Sequence, residues 1–177
     1  MKDSERLLFR HLSRFVSDHK KQFVARVLSE RTRYVTVVLE NIYQSQNASA
    51  VLRTSECMGL QDVHIIENTA RYQLNVRVLK GADKWLDLVR YRRKDVNNTE
   101  QCFHHLRADG YRILVADPAA DGLAVGDIDV AANKLAIVFG NELHGASDFA
   151  RQNADQRIRI PMYGFTESLN ISVSVAI

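Results

Sequence analysis

Two spacings of apolar residues divide the chain. Over residues 3–16, Leu8, Leu12, Phe15 and Val16 recur at the three-to-four-residue interval of a helix face. Residues 18–30 repeat the pattern, with Phe23, Val24, Val27 and Leu28 expected to face inward. No Pro-, Gly- or Ser-rich linker follows, so residues 1–33 read as a helical leader packed on one domain that spans 34–177. From Tyr34 the pattern becomes short apolar strands alternating with helices. Strands are predicted over 34–40, 63–67, 85–91, 112–117, 134–140 and 157–162. Helices are predicted over 47–59 and 98–110, each closed by a glycine, a natural C-terminal stop. The runs VTVVL, RILVA and LAIVF are almost unbroken in hydrophobicity, as in strands covered on both faces. The fold class that follows is α/β: a mostly parallel sheet with helices on both faces. Ligands in such sheets bind beyond the carboxyl ends of the strands, which directs attention to 41–53, 116–122, 139–147 and 161–170.

Charge sharpens the picture of the leader. Residues 1–33 hold nine Lys/Arg against four Asp/Glu, a net +5, whereas the remaining 144 residues carry 15 against 17, a net −2. Arg6, Arg10 and Arg14 recur every four residues and so line one side of the first helix. A basic leader on a near-neutral body fits a polyanion, while a solvated helix face explains the same charges equally well. No apolar run approaches the roughly 18 residues that span a bilayer, and the charged start MKDSERLLFRHLSRF does not read as a secretion signal. Cys57 and Cys102 lie far apart in sequence, which suits a reducing cytoplasm and small buried roles.

Neither the dinucleotide fingerprint G-x-G-x-x-G nor a phosphate loop ending in GK[ST] is present, and no histidine pair has zinc spacing, so no metal ligands are assigned. Three other segments stand out. In Asn47-Ala-Ser-Ala-Val-Leu-Arg53, Asn47 is placed to cap a helix, with Arg53 beside it as a phosphate-gripping fork; a plain cap followed by an exposed arginine fits as well. Phe139 to Ser147 follows a buried strand, and Gly140 and Gly145 let backbone approach a ligand around Glu142. The alternative there is a tight turn with Ser147 as N-cap. Ile160 to Val173 ends a strand at Pro161, passes Gly164 and starts an apolar helix near Ser168, which reads as its cap.

Taken in this order, the three segments resemble the motifs of the TrmH (SpoU) family of SPOUT-class RNA 2′-O-ribose methyltransferases. Asn47 and Arg53 match its first motif. Gly140, Glu142, Gly145 and Ser147 match G-x-E-x-x-G-x-S, and Ile160 through Ser172 match I-P-M-x-G-x-x-x-S-L-N-x-S. The resemblance covers residues 34–177, and the short leader is similar to that of the branch acting on a guanosine of the tRNA D-loop. It implies a C-terminal deep trefoil knot, which no periodicity would have revealed. It also implies S-adenosylmethionine as methyl donor, an RNA substrate with tRNA favoured, and a homodimer with its sites beside the subunit interface. Arg53 would be the central catalytic residue, supported by Asn47, Glu142, Ser168 and Asn170. The donor pocket would draw on Ala116, Gly140, Glu142, Gly145, Ile160, Met162, Ser168 and Leu169. RNA contacts would come from Arg6, Arg10 and Arg14 and from the run Arg90, Arg92, Arg93 and Lys94. Relatives continue further, so the last helix is expected to run past Ile177. Methylation of ribosomal RNA, a non-catalytic RNA-binding protein on the same fold, and an unrelated nucleotide-binding domain are the competing readings.

Overall fold

The computed structural model describes residues 2–118 and 121–177; Ala119 and Ala120 of the 116–122 segment lie outside the described residues. Residues 1–31 and 32–177 form two compact units. The first contains α1 (Asp3–Leu12), a 3-10 turn at Ser13–Phe15 and α2 (Asp18–Ser29). The Lys2 amide donates to the Glu5 carboxylate at 2.7 Å, and the Ser17 hydroxyl accepts from the Lys20 amide, so each helix start is satisfied locally. The inward-facing expectation for the second helix is corrected: neither helix buries a residue, and Phe23 and Leu28 are 50% and 62% exposed. Caps and surface pairs such as Lys21–Asp18 at 2.9 Å, rather than a core, accompany these helices.

Among the described residues the second unit is built on seven strands: β1 (Val35–Glu40), β2 (Asp62–Ile66), β3 (Asp87–Tyr91), β4 (Tyr111–Ala116), β5 (Leu123–Ala124), β6 (Lys134–Phe139) and β7 (Gln156–Arg159). They lie in the order β3-β2-β1-β6-β4-β7-β5, and every pairing is parallel. The parallel α/β expectation therefore holds, and the cause is visible residue by residue. Val38 and its neighbours on one face meet Cys102, Phe103 and Leu106 of α5 (Asn98–Ala108) and Ala150 of α6 (Asp148–Asn153). Val37 and Leu39, pointing the other way, meet Ala48, Val51 and Leu52 of α3 (Ser45–Cys57) and Leu79 of α4 (Val76–Leu79). Two-residue alternation between two apolar layers is why the strands read as unbroken apolar runs. Truncating Leu52, which has no exposed surface, would cost roughly 2–5 kcal/mol.

Three boundaries differ from the sequence reading. β3 begins at Asp87, and β7 stops at Arg159, because Pro161 just beyond has no amide to continue a ladder. The final helix is the short α7 (Ile171–Ser174), whose cap is Asn170, accepting from the Ser172 amide at 2.9 Å; Ser168 is not its cap. Cys57 is exposed, so only Cys102 has the buried role expected of both.

The strand order reverses beside β1. Strands β2 and β3 extend to one side, and the chain then crosses back to build β4, β7 and β5 beyond β6. Such a switch point opens a crevice at the carboxyl ends of the central strands. After β7 the chain returns across this edge, and Ile171 and Val175 of its last segment pack with the α3 layer.

Candidate active site

The turn after β6 forms one wall of the crevice. Asn141 and Gly145 exchange backbone hydrogen bonds at 2.8 and 2.9 Å, closing a tight loop that Gly145 completes at φ 69°. Gly140 is the point of closest approach: a Cβ there would collide with the backbone of Gly145 and Ala146. Ser147 ends the turn as N-cap of α6, its hydroxyl accepting from the Ala150 amide at 3.1 Å.

Glu142, at the tip of this turn, reaches the start of α3. Its carboxylate accepts from the Tyr43 amide at 3.1 Å, the Gln44 amide at 3.4 Å and the Asn47 side-chain amide at 2.9 Å. Asn47 is therefore not the helix cap. Helix α3 starts at Ser45, and the Asn47 side chain turns instead toward Glu142 and Asn170. The Asn170 side-chain amide donates to the Asn47 carbonyl oxygen at 3.1 Å. One hydrogen-bonded chain, Glu142–Asn47–Asn170, thus joins the three sequence motifs, and each amide uses one end as donor and the other as acceptor.

These groups border a cavity of about 960 Å³. Asn47, Glu142, Ser168 and Asn170 supply polar lining; Ala116, Gly140 and Gly145 supply close backbone; and Ile160, Met162 and Leu169 add apolar surface. Phe139 and Ile137 of β6 and Asp117 at the end of β4 complete the walls. An apolar pocket with a few convergent polar groups is the usual form of a small-ligand site.

Arg53 stands apart. It is exposed on α3, does not line the cavity, and has no hydrogen bond or ion pair among the described residues. The sequence reading placed it beside Asn47, and helical geometry corrects that: six residues turn a helix by about 600°, leaving the two side chains roughly 120° apart. Arg90, assigned to RNA contact, has partners within its own chain. Its guanidinium grips Glu67 at 2.9 Å and lies 5.3 Å from the Tyr72 ring. Arg92, Arg93 and Lys94 are exposed in the turn after β3, on the same carboxyl edge as the cavity. Arg6 and Arg10 project from α1, and Arg14 from the following turn, all exposed.

Several residues of the site escaped the sequence reading. Asn41, in a left-handed conformation at φ 54°, accepts from the Asn68 and Thr69 amides through its side chain, and its carbonyl accepts from the Asn141 side chain at 2.9 Å. Arg151 of α6 donates to Asp117 at 3.0 Å and to the His144 carbonyl at 3.1 Å, bracing the turn from outside. The buried Glu40 touches Ser147 itself. A left-handed asparagine leaves a weak trace in sequence; a bracing arginine leaves none.

A parallel sheet with a glycine-closed turn at its switch point defines an α/β fold whose ligand site lies beyond the carboxyl ends of the strands. Residues 34–177 match the model of the SpoU rRNA methylase family. The chain is 44% identical over 166 residues to a tRNA (guanosine(18)-2′-O)-methyltransferase of Borreliella burgdorferi, covering 94% of this chain and 73% of that one. A Thermus thermophilus protein of the same description is 29% identical over 91% of this chain and 80% of its own length. The crystal structure of the Aquifex aeolicus TrmH/SpoU tRNA modifying enzyme superposes with a TM-score of 0.77 at 26% identity, over 90% of this chain and 78% of that one. The chain belongs to the SpoU rRNA methylase family, and its chemistry is that of a methyltransferase.

Proposed function

We propose that this chain transfers a methyl group from S-adenosylmethionine to the ribose 2′-hydroxyl of a guanosine in the tRNA D-loop. The observation that carries this reading is the Asn170–Asn47–Glu142 chain, which assembles the three motifs at one cavity. Names of relatives at up to 44% identity support guanosine 18 of tRNA as the target.

The residues present fit the donor. Gly140 lets the turn close on itself, because a Cβ there would meet the backbone of Gly145 and Ala146, and the backbone of this turn borders the cavity, where it can meet polar edges of a base. Ile160, Met162 and Leu169 offer apolar surface for a ring, and Ser168 and Asn170 offer polar groups. S-adenosylmethionine supplies an already activated methyl group, so the protein's task is alignment and electrostatics. A guanidinium offers only donors and no acceptor, so we assign Arg53 to clamp a substrate phosphate and stabilise the oxyanion that forms on the ribose. Asn47 and Glu142 fix the motif geometry, and Asn170, held by Asn47, orients the ribose.

We further infer that the 140–147 and 160–170 segments form the trefoil knot of this family. The return of the chain from β7, beyond β4, to the α3 layer supports it. The proposed assembly is a homodimer with its sites at the subunit interface, where the exposed Arg53 acts; its position outside its own chain's cavity supports this. The leader arginines and the Arg92–Lys94 turn contact RNA phosphates. No helix among the described residues is long and apolar enough to cross a membrane, and we place the protein in the cytoplasm, where its substrate is.

The test is methyl transfer from labelled S-adenosylmethionine to total RNA, with digestion to nucleosides. Label in 2′-O-methylguanosine from the tRNA fraction is the expected result. Label in ribosomal RNA alone would redirect the substrate, and no labelled 2′-O-methylribose in any fraction would overturn the reading.

A further inference from the structure

We propose that Glu40 is a positioning residue for methyl-donor binding: it locks the 140–147 turn to the end of β1 and to α5. This rests on the reading of the 140–147 turn as the donor cradle. Glu40 is the last residue of β1 and is 1% exposed. Three donors converge on its carboxylate: the Ser147 amide at 2.8 Å, the Ser147 hydroxyl at 2.7 Å and the Thr99 hydroxyl at 2.5 Å. Only an acceptor-only group with two oxygens takes all three at once.

Burying a carboxylate is costly unless its hydrogen bonds are met, so its presence at the end of a buried strand calls for a function. The geometry indicates which. Both Ser147 donors stand at the downstream end of the cradle, while Asn41, the next residue, holds the upstream end through Asn141 at 2.9 Å. The last residue of β1 and the one that follows it therefore pin the two ends of the turn, and Glu142 pins its tip to α3. Gly140 leaves no slack, since its α-carbon already faces the backbone of Gly145 and Ala146. A displacement of Ser147 is thus passed directly to Gly140 and into the cavity.

Thr99 connects this lock to the basic turn. Its hydroxyl also accepts from the Asn68 side chain at 2.9 Å; Asn68 accepts from the Asn98 amide at 3.0 Å, and Asn98 holds both backbone groups of Arg93, at 2.8 and 3.1 Å. The bonds that hold Arg93 do not include Glu40, so the Arg92–Lys94 turn keeps its anchor when the lock on the donor turn is removed. Neither Glu40 nor Thr99 lines the cavity, so neither is a catalytic residue.

The test compares wild type with Glu40→Gln, Glu40→Ala and Thr99→Val. Three quantities are measured: S-adenosylmethionine affinity by titration calorimetry, tRNA affinity by filter binding, and amide hydrogen exchange of the protein without donor. Glu40→Ala is expected to weaken donor binding at least tenfold, Glu40→Gln to recover part of that loss, and Thr99→Val to weaken it two- to threefold. Affinity for tRNA should stay within about threefold. Exchange should rise about tenfold within 140–147 and stay unchanged in β4 and β6. Thr99→Val keeps its shape and leaves both Ser147 contacts, so it remains informative if the Glu40 variants do not fold. Wild-type-like exchange in 140–147 for folded variants would overturn the proposal, as would equal loss of donor and tRNA affinity. If wild type itself binds no donor, the methyltransferase reading fails, while the exchange data still decide whether Glu40 locks the turn.

Discussion

Asn170 and Asn47 stand 123 residues apart in sequence and share a 3.1 Å hydrogen bond, with Glu142 bound to the other end of Asn47 at 2.9 Å. The start of α3, the turn after β6 and the segment leading into α7 meet through that one side chain. Its substitution is therefore a direct probe of the site.

Asn47→Ala removes the donor to Glu142 and the acceptor for Asn170 together, leaving both without their shared partner. Methyl transfer is expected to fall at least tenfold, with a stability loss of about 1–3 kcal/mol. Asn47→Asp adds a carboxylate facing that of Glu142 and should be worse for activity than alanine. Steady-state kinetics and urea melts on the two variants check the order.

Gly140→Ala forces a Cβ into the backbone of Gly145 and Ala146. The turn has to open, at a cost of about 1–3 kcal/mol or more. Donor affinity is expected to drop more than tenfold, read by calorimetry. Gly126→Ala is the control, since nothing lies within 4 Å of a Cβ at that position.

Arg53 has no partner within the described chain, so Arg53→Ala should change stability by no more than about 0.5 kcal/mol. Donor binding should persist while methyl transfer is lost. Loss of donor affinity in the folded variant would move Arg53 from catalysis to cofactor binding.

His64 sets an acid limit on stability. Burial, with His105 adding repulsion, lowers its pKa from 6.5 to about 4. The unfolded chain takes up this proton near 6.5, and the folded chain only near 4. The stability from the neutral ring is therefore complete above about 6.5 and lost as pH falls toward 4, by roughly 3 kcal/mol in total. Melts across that window should flatten in His64→Gln.

If the leader grips phosphates, Arg6→Gln/Arg10→Gln/Arg14→Gln should lower the dependence of log affinity for tRNA on log salt by about 2–3, near 0.9 per contact. Donor affinity should not move. An unchanged salt slope would leave the leader arginines as a solvated face.

The sheet was legible because VTVVL, RILVA and LAIVF sit between two apolar layers, and such burial cannot be disguised in sequence. The turn after β6 was legible from Gly140 and Gly145, whose lack of a side chain is itself the signal. The wiring was not. Asn47 near a helix start reads as a cap, the commonest use of asparagine there, and only tertiary contact turned it toward Glu142. Glu40 reads as the polar end of a strand, since the donors that justify burying it come from residues 59 and 107 positions away. The apolar stripe of α2 promised burial, yet none of its residues is buried: periodicity fixes which face is apolar, not what covers it.

The most direct test of the central claim is methyl transfer to two tRNA transcripts that differ only at guanosine 18, one with ribose and the other with 2′-deoxyribose. The ribose transcript should accept a single methyl group and the deoxy transcript none. Equal labelling of both transcripts would contradict 2′-hydroxyl methylation at that nucleotide.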